Sequence, residues 1–412
     1  MVHRAWADDL FLVSTQNNDA QTQLNGLSNF CSPNQMVVNN IKTKVMVFGK
    51  PTLIDLTLNG APLEIVNSYK SLGVMINPIR SLNGNIYQNH PDYLCKQARK
   101  AAFNIFNKIK SIGDIPAKHL LYLYQSMIQP VLIYGSELWG FMKNANKTLD
   151  TMFMWFARTI LKVKSSTSNL ITLGECGILS PSVLCHINVI LYAIRLNSVI
   201  NDDILKCVFD KNVEFHNMGY ATWYSKVLSL AKSYDINIEN MVYSNCTKLL
   251  IKEKIRNSFI ETWFKDINSL ESNPLLRTYA LFKNQFTMSS HLKYVKNPKF
   301  RNAISKIRCS SHLLGIEKGR HTRPKTPIEQ RLCVFCNVLD DEIHFICDCN
   351  SLTSARSVFY SKVISVCPNF ESLNSKEKFT FIFSSDDPIL LTWLGKFVVD
   401  GFTLRDHELK GI

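Results

Sequence analysis

YLCKQARKAAFNIFNKI, residues 93–109, places Ala98, Ala102, Ile105, Phe106 and Ile109 on one face at helical spacing. Leu120, Leu121, Tyr124, Met127 and Ile128 form a second such face, and Pro130 is expected to end or kink the helix that carries it, having no N–H to donate. Residues 150–163, 181–200 and 248–267 read as further helices, with polar, Asn-rich joints near 201–219 and 234–246. Residues 351–366 and 376–402 close the chain as helices interrupted near Pro388. Upstream of residue 93 the pattern differs. Residues 5–14 read as two short apolar strands joined by an acidic turn, a helix with Leu24, Leu27 and Phe30 on one side follows, and 36–48, 53–58 and 69–76 return to β-rich composition. The expected class is α+β: a mostly helical chain with a small N-terminal β-sheet.

With 412 residues, 46% of them hydrophobic, the chain can bury two or three cores. Its start lacks a basic stretch followed by an apolar run and a small-residue cleavage site. The most apolar region, near 127–141, is broken by Pro130, Gly135 and Glu137, well short of the roughly 18 residues of a membrane span. A soluble, intracellular protein is expected. The net charge of +14 calls for an anionic partner. Residues 283–331 hold twelve Lys or Arg against only Glu317 and Glu329, so ten of those charges fall in one segment. Phe286, His291, Tyr294, Phe300 and His312 interleave with them, and the segment has no long apolar face, which suits a phosphate backbone better than a bilayer. The candidate contacts to RNA or DNA are Lys293, Lys296, Lys299, Arg301, Lys306, Arg308, Arg320 and Arg323. Residues 315–331, rich in Gly, Pro and basic residues, read as a linker.

Eight of the twelve cysteines are scattered singly, and four crowd between 333 and 349. Cys333 and Cys336 are followed at seven intervening residues by His344 and at four more by Cys349. Three thiolates and an imidazole make a full tetrahedral set for structural Zn²⁺, with no position left open for catalysis. Cys347 is an alternative fourth ligand, and Asp340, Asp341 and Glu342 read as a polar loop before His344. Phe335 and Phe345 either stack on bases or form the small core of this module. At the other end, Asp8 and Asp9 on a hairpin tip bring two carboxylates together, a hard-oxygen pair suited to Mg²⁺ and phosphoryl transfer. The plain alternative is an acidic turn.

Five blocks in order carry a resemblance. Trp6-Ala7-Asp8-Asp9 resembles the Tyr/Phe-Ala-Asp-Asp element of reverse transcriptases, with Trp6 in the aromatic place. Val38-Asn39-Asn40-Ile41-Lys42-Thr43-Lys44-Val45-Met46-Val47-Phe48 and Tyr69-Lys70-Ser71-Leu72-Gly73 are similar to the next two elements of the non-LTR, LINE-type retrotransposon enzymes. Pro130 with Tyr134-Gly135-Ser136-Glu137-Leu138-Trp139 resembles their thumb, and His312 to Arg320 the stretch before their terminal zinc module. The resemblance implies an RNA-directed DNA polymerase lineage. Asp8 and Asp9 would be Mg²⁺ ligands of the palm, and Lys42 would lie near nucleotide phosphates unless it is merely an exposed strand-end lysine. The family's zinc element favours Cys349 over Cys347.

On this reading 1–80 is a partial palm, 81–165 thumb helices, 166–282 a helical connector, 283–331 the basic segment and linker, 332–350 a zinc knuckle and 351–412 terminal helices. The seven residues before Asp8 hold neither the further palm aspartate nor fingers, so the chain alone is expected not to polymerise. Primer extension on RNA with an Asp8→Asn control reads this, and incorporation that depends on Asp8 would overturn it. The alternative is a host-captured or vestigial nucleic-acid-binding zinc-knuckle protein. The nucleus is the expected location, because the family must reach chromosomes.

Overall fold

The computed structural model describes residues 2–6, 9–49, 54–79, 85–198, 204–269 and 274–411. It is 63% helix and 5% strand, a mostly helical α+β chain, and divides into two units, Met1–Tyr93 and Leu94–Ile412.

In the first unit Val2–Trp6 pairs antiparallel with Asp9–Val13, with Trp6 opposite Asp9. The helix Asn17–Cys31 follows. Thr57–Leu58 pairs with Ala61–Pro62 across Asn59 and Gly60, both at positive φ, as a two-residue hairpin turn requires. Lys44–Val45 pairs in parallel with Glu64–Ile65, and Tyr69–Ser71 antiparallel with Val74–Ile76. The expected small sheet is therefore, among the described residues, four separate two-stranded ladders. Leu24, Leu56, Leu58 and Leu63 form a small core on which Leu12 and Val45 pack, and the Gln21 amide substitutes for a strand partner by donating to Thr57 O and accepting from Thr57 N, both at 2.9 Å.

In the second unit Ala98, Ala102 and Ile105 are buried, as is the second predicted face at Leu120, Leu121, Tyr124 and Ile128. Met127 is instead 53% exposed. A π-helical turn, Tyr124–Ile128, stands just ahead of Pro130, relieving the clash of its ring with the preceding turn and rotating Met127 out of the face. Tyr124 packs on Phe153 and Phe156, and Phe156 stacks on Phe106, so three helices share one aromatic core. Pro181–Ser198 runs through the centre of the unit with Val189, Ile190 and Ile194 fully buried, each worth roughly 1.5–3 kcal/mol of burial.

Around it stand Lys143–Leu161, Trp223–Ser233 and Asn245–Asn268. The joint expected near 201–219 is largely the helix Ile204–Asn217, which overrides its polar composition by burying Phe209 and packing Val213 on the core. No single described helix is long and apolar enough to cross a membrane.

The terminal part is built on Pro388–Gly411, whose N-terminus is capped by Asp387 accepting from Leu390 N at 2.7 Å. This helix lies against Pro298–Arg308 so closely that a Cβ on Gly395 would meet Phe300 at 2.5 Å. Its next turns cover the cysteine-rich segment, where Phe402 stacks on Phe345 at 4.6 Å.

Candidate metal centre

Residues 332–350 have little regular structure, and their turns place the sulfurs. The bridge between Leu332 and Leu339 closes a loop in which Cys333 N donates to Val338 O at 2.7 Å and Asn337 N to Cys333 O at 2.8 Å. Asn337 sits at φ 54°, a left-handed turn residue that folds Cys336 back toward Cys333. Asp341 accepts from His344 N at 2.8 Å and starts the π-helical turn His344–Asp348, at whose end Cys349 N donates to His344 O at 2.8 Å.

One ligand atom from each of Cys333, Cys336, His344 and Cys349 lies within 4.8 Å of the others, a group that could hold a metal ion. The Cys349 sulfur is 3.9 Å from those of Cys333 and Cys336. His344 Nε2 is buried with no hydrogen-bond partner, an orphan that a bound cation would satisfy. Asn350 N donates to Cys336 Sγ at 3.3 Å, the kind of bond that holds a thiolate in place. Burial pushes the Cys349 thiol up, but hydrogen bonding with the His344 and Ser351 side chains and the charge of Arg405 outweigh it and lower it, while burial raises the neighbouring Cys333. Cys347 lies outside the group, its Sγ 3.4 Å from Ser375 O, and burial pushes it up to about 12. The residues fit Zn²⁺: soft donors, four of them, mostly buried.

The acidic stretch before His344 is not a solvated loop. Glu342 is fully buried, accepts from Arg277 and Ser310, and pairs with His312 at 2.8 Å. His312 is thus structural. Asp340 accepts from Gly315 N at 2.6 Å and from Arg405 at 2.8 Å, and its backbone bonds Ile316 and Arg331. Those bonds pin both ends of the expected linker, 315–331, to the metal segment, while residues 321–330 between them stay largely exposed. Arg331 is buried with its guanidinium on Ile316 O and Thr326 O, over Gly319, where a Cβ would come within 2.6 Å of it.

The basic segment divides by exposure. Arg308 is buried and donates to both oxygens of Glu175 at 2.8 and 3.0 Å, and Arg301 is buried and clamps Asp114 with two bonds of 2.8 Å. This corrects the expectation for those two: internal carboxylates already hold their guanidinium groups. Arg320 is half-buried beside Glu317. Lys296, Lys299, Lys306 and Arg323 are exposed and Lys293 half-exposed. Phe286 and His291 are buried, and Phe345, at 0% exposure, is core and not a base platform. Phe335 is half-buried under the Arg405 guanidinium.

In the first unit Asp9 is exposed at the start of its strand, and Lys42 is exposed in a turn where its N–H donates to Asn39. Asp8 lies outside the described residues. Glu175, Arg277 and Arg405 carry no functional role in the sequence reading, and Glu342 enters it only as part of a polar loop. Glu175 alone carried a local signal, because a charged residue within the run Asn169–Cys176, otherwise largely apolar, calls for a partner.

No protein-family model matches the sequence. Over 150 residues the chain is 31% identical to a Caenorhabditis elegans protein described as transposon-derived, an overlap of 34% of this chain and 48% of that protein. The chain spans about half the length of the relative it matches, and the similarity is compatible with a transposable-element origin.

Proposed function

We propose that this chain is a nucleic-acid-binding portion of a non-LTR retrotransposon reverse transcriptase, held together by structural Zn²⁺. The observation that carries the reading is the Cys333, Cys336, His344, Cys349 group, fastened through Asp340 and Glu342 to the segment that carries the excess positive charge. A closed four-ligand site leaves no position for substrate, so the metal's work there is to fix shape. Lys293, Lys296, Lys299, Lys306 and Arg323 offer exposed or half-exposed cations that form no salt bridge among the described residues, suited to phosphates of RNA or DNA. The similarity to a transposon-derived protein supports the lineage. Within it, the first unit is a partial palm whose Asp8 and Asp9 hold Mg²⁺ with Lys42 near the nucleotide, the helices from Leu94 are thumb and connector, and the nucleus is the working compartment.

The test is the salt dependence of binding to an RNA–DNA duplex. Each neutralised phosphate contributes a slope of about −0.9 in log affinity against log salt. Replacing Lys293, Lys296, Lys299, Lys306 and Arg323 together by Gln is expected to flatten the slope by about 4.5 and weaken binding evenly across sequences. An unchanged slope would remove the reading.

A further inference from the structure

Arg405 comes from the terminal helix, 60 or more residues from the atoms it touches, yet it reaches into the metal segment. It is 7% exposed. Its Nη2 donates to Cys333 Sγ at 2.7 Å and to Asp340 Oδ1 at 2.8 Å, and its guanidinium lies over the rings of Phe345 and Phe335 at 5.4 and 5.7 Å. A divalent cation bound by three thiolates and a neutral imidazole keeps one negative charge, which is expensive to bury without a counterion. Arg405 is shared between the Cys333 thiolate and Asp340, and Arg356, which donates to the carbonyls of Ile346 and Cys349, adds a second buried cation to the segment.

We infer, resting on the zinc reading above, that Arg405 is the outer partner of the metal: its N–H on the Cys333 thiolate stabilises the charge of that sulfur and ties metal occupancy to docking of the terminal helix. Arg405 is a positioning residue. Arginine suits the place because it is always charged, is weakly hydrated, and presents donors in a plane that reaches the thiolate and Asp340 together. Metal binding then reaches Pro298–Arg308 as well, since the same helix packs there through Gly395.

The full chain is loaded with Co²⁺, whose thiolate charge-transfer absorption reports on the sulfurs, and metal affinity is measured by chelator competition. Arg405→Met keeps the stem between the two rings and removes the donor and charge. We expect it to weaken Co²⁺ binding 10- to 100-fold, the usual loss for an outer partner. The charge-transfer band should move to lower energy, because a sulfur without its N–H donor releases electron density more readily. Arg405→Lys should recover part of the affinity through its charge. Lys396→Met, on an exposed position of the same helix, should change neither quantity. In the wild type, chelation should speed amide hydrogen exchange from Asp400 to Lys410. Wild-type affinity and an unmoved band in Arg405→Met would overturn the inference and leave the zinc reading standing. A wild-type chain that takes up neither Co²⁺ nor Zn²⁺ would overturn both.

Discussion

Cys349→Ser is expected to unfold residues 332–350 and to release zinc from the chain, whereas Cys347→Ser keeps the metal. The segment has one bridge, a few turns and a small core at Phe345 and Ile346, too little to outweigh the entropy of ordering nineteen residues at about 1–2 kcal/mol each for the backbone alone. On the proposed zinc reading, metal ligation supplies the difference, on the order of 10 kcal/mol or more for a structural zinc site at neutral pH. Replacing one of three thiolates removes most of that. Limited proteolysis between 320 and 350, together with zinc release followed by a chromophoric chelator, separates the two variants. Equal zinc loss from both would mean that the fourth ligand is not the one the geometry selects. Damage should travel beyond the segment, because Glu342 and Arg277 tie it to Pro274–Leu276 and its neighbours, and Arg405 ties it to the terminal helix.

The second large effect lies at Glu175. Its carboxylate is fully buried, takes two bonds from Arg308 and one from Ser289 Oγ at 2.8 Å, and lies 3.8 Å from His291. Glu175→Gln leaves the Arg308 guanidinium buried without its counterion, and the expected loss is about 3–5 kcal/mol, read from urea unfolding. The paired change Glu175→Gln with Arg308→Met should recover much of it, because removing both charges leaves neither stranded. A double variant no better than the single one would show that the pair is not the source of the loss.

The same centre sets a pH dependence. Burial pushes the Glu175 carboxyl up, but Arg308, His291 and Lys283 outweigh it and hold it at about 2, below the usual 4.5. A carboxyl whose folded pKa is depressed contributes stability that is complete above about 4.5 and lost as pH falls toward 2. Burial holds His291 down at about 3, so its neutral form is favoured in the fold and its contribution is lost as pH falls from about 6.5 toward 3. Wild-type urea midpoints should therefore decline progressively on acidification, and Glu175→Gln should lack the part between 4.5 and 2.

The part of this molecule that was legible in its sequence is the part set by local spacing. The helical period of 93–109, the break at Pro388 and the Cys-x2-Cys, His, Cys spacing each depend on residues within a turn or two of one another, and the structure places helices and clustered ligands there. Ile204–Asn217 was hidden because Asn and Asp dominate its surroundings, although Phe209 and Val213 are a turn apart on one face. Short apolar strands of the first unit showed that they were strands but not which partner each would take. Charge was the least legible quantity. Arg301 and Arg308 look like Lys299 and Lys306 in composition, and only partners 187 and 133 residues away decide that two are interior struts. Arg405 and Asp340 likewise meet across 65 residues, with nothing in either neighbourhood to announce the other.

The central claim, that four named side chains close around one metal, is tested most directly by X-ray absorption at the zinc edge on the purified full chain. The expected first coordination shell is three sulfurs at about 2.3 Å and one nitrogen at about 2.0–2.1 Å, with no bound water. Four sulfurs, which would bring in Cys347 in place of His344, or a shell of oxygen and nitrogen alone, would contradict it.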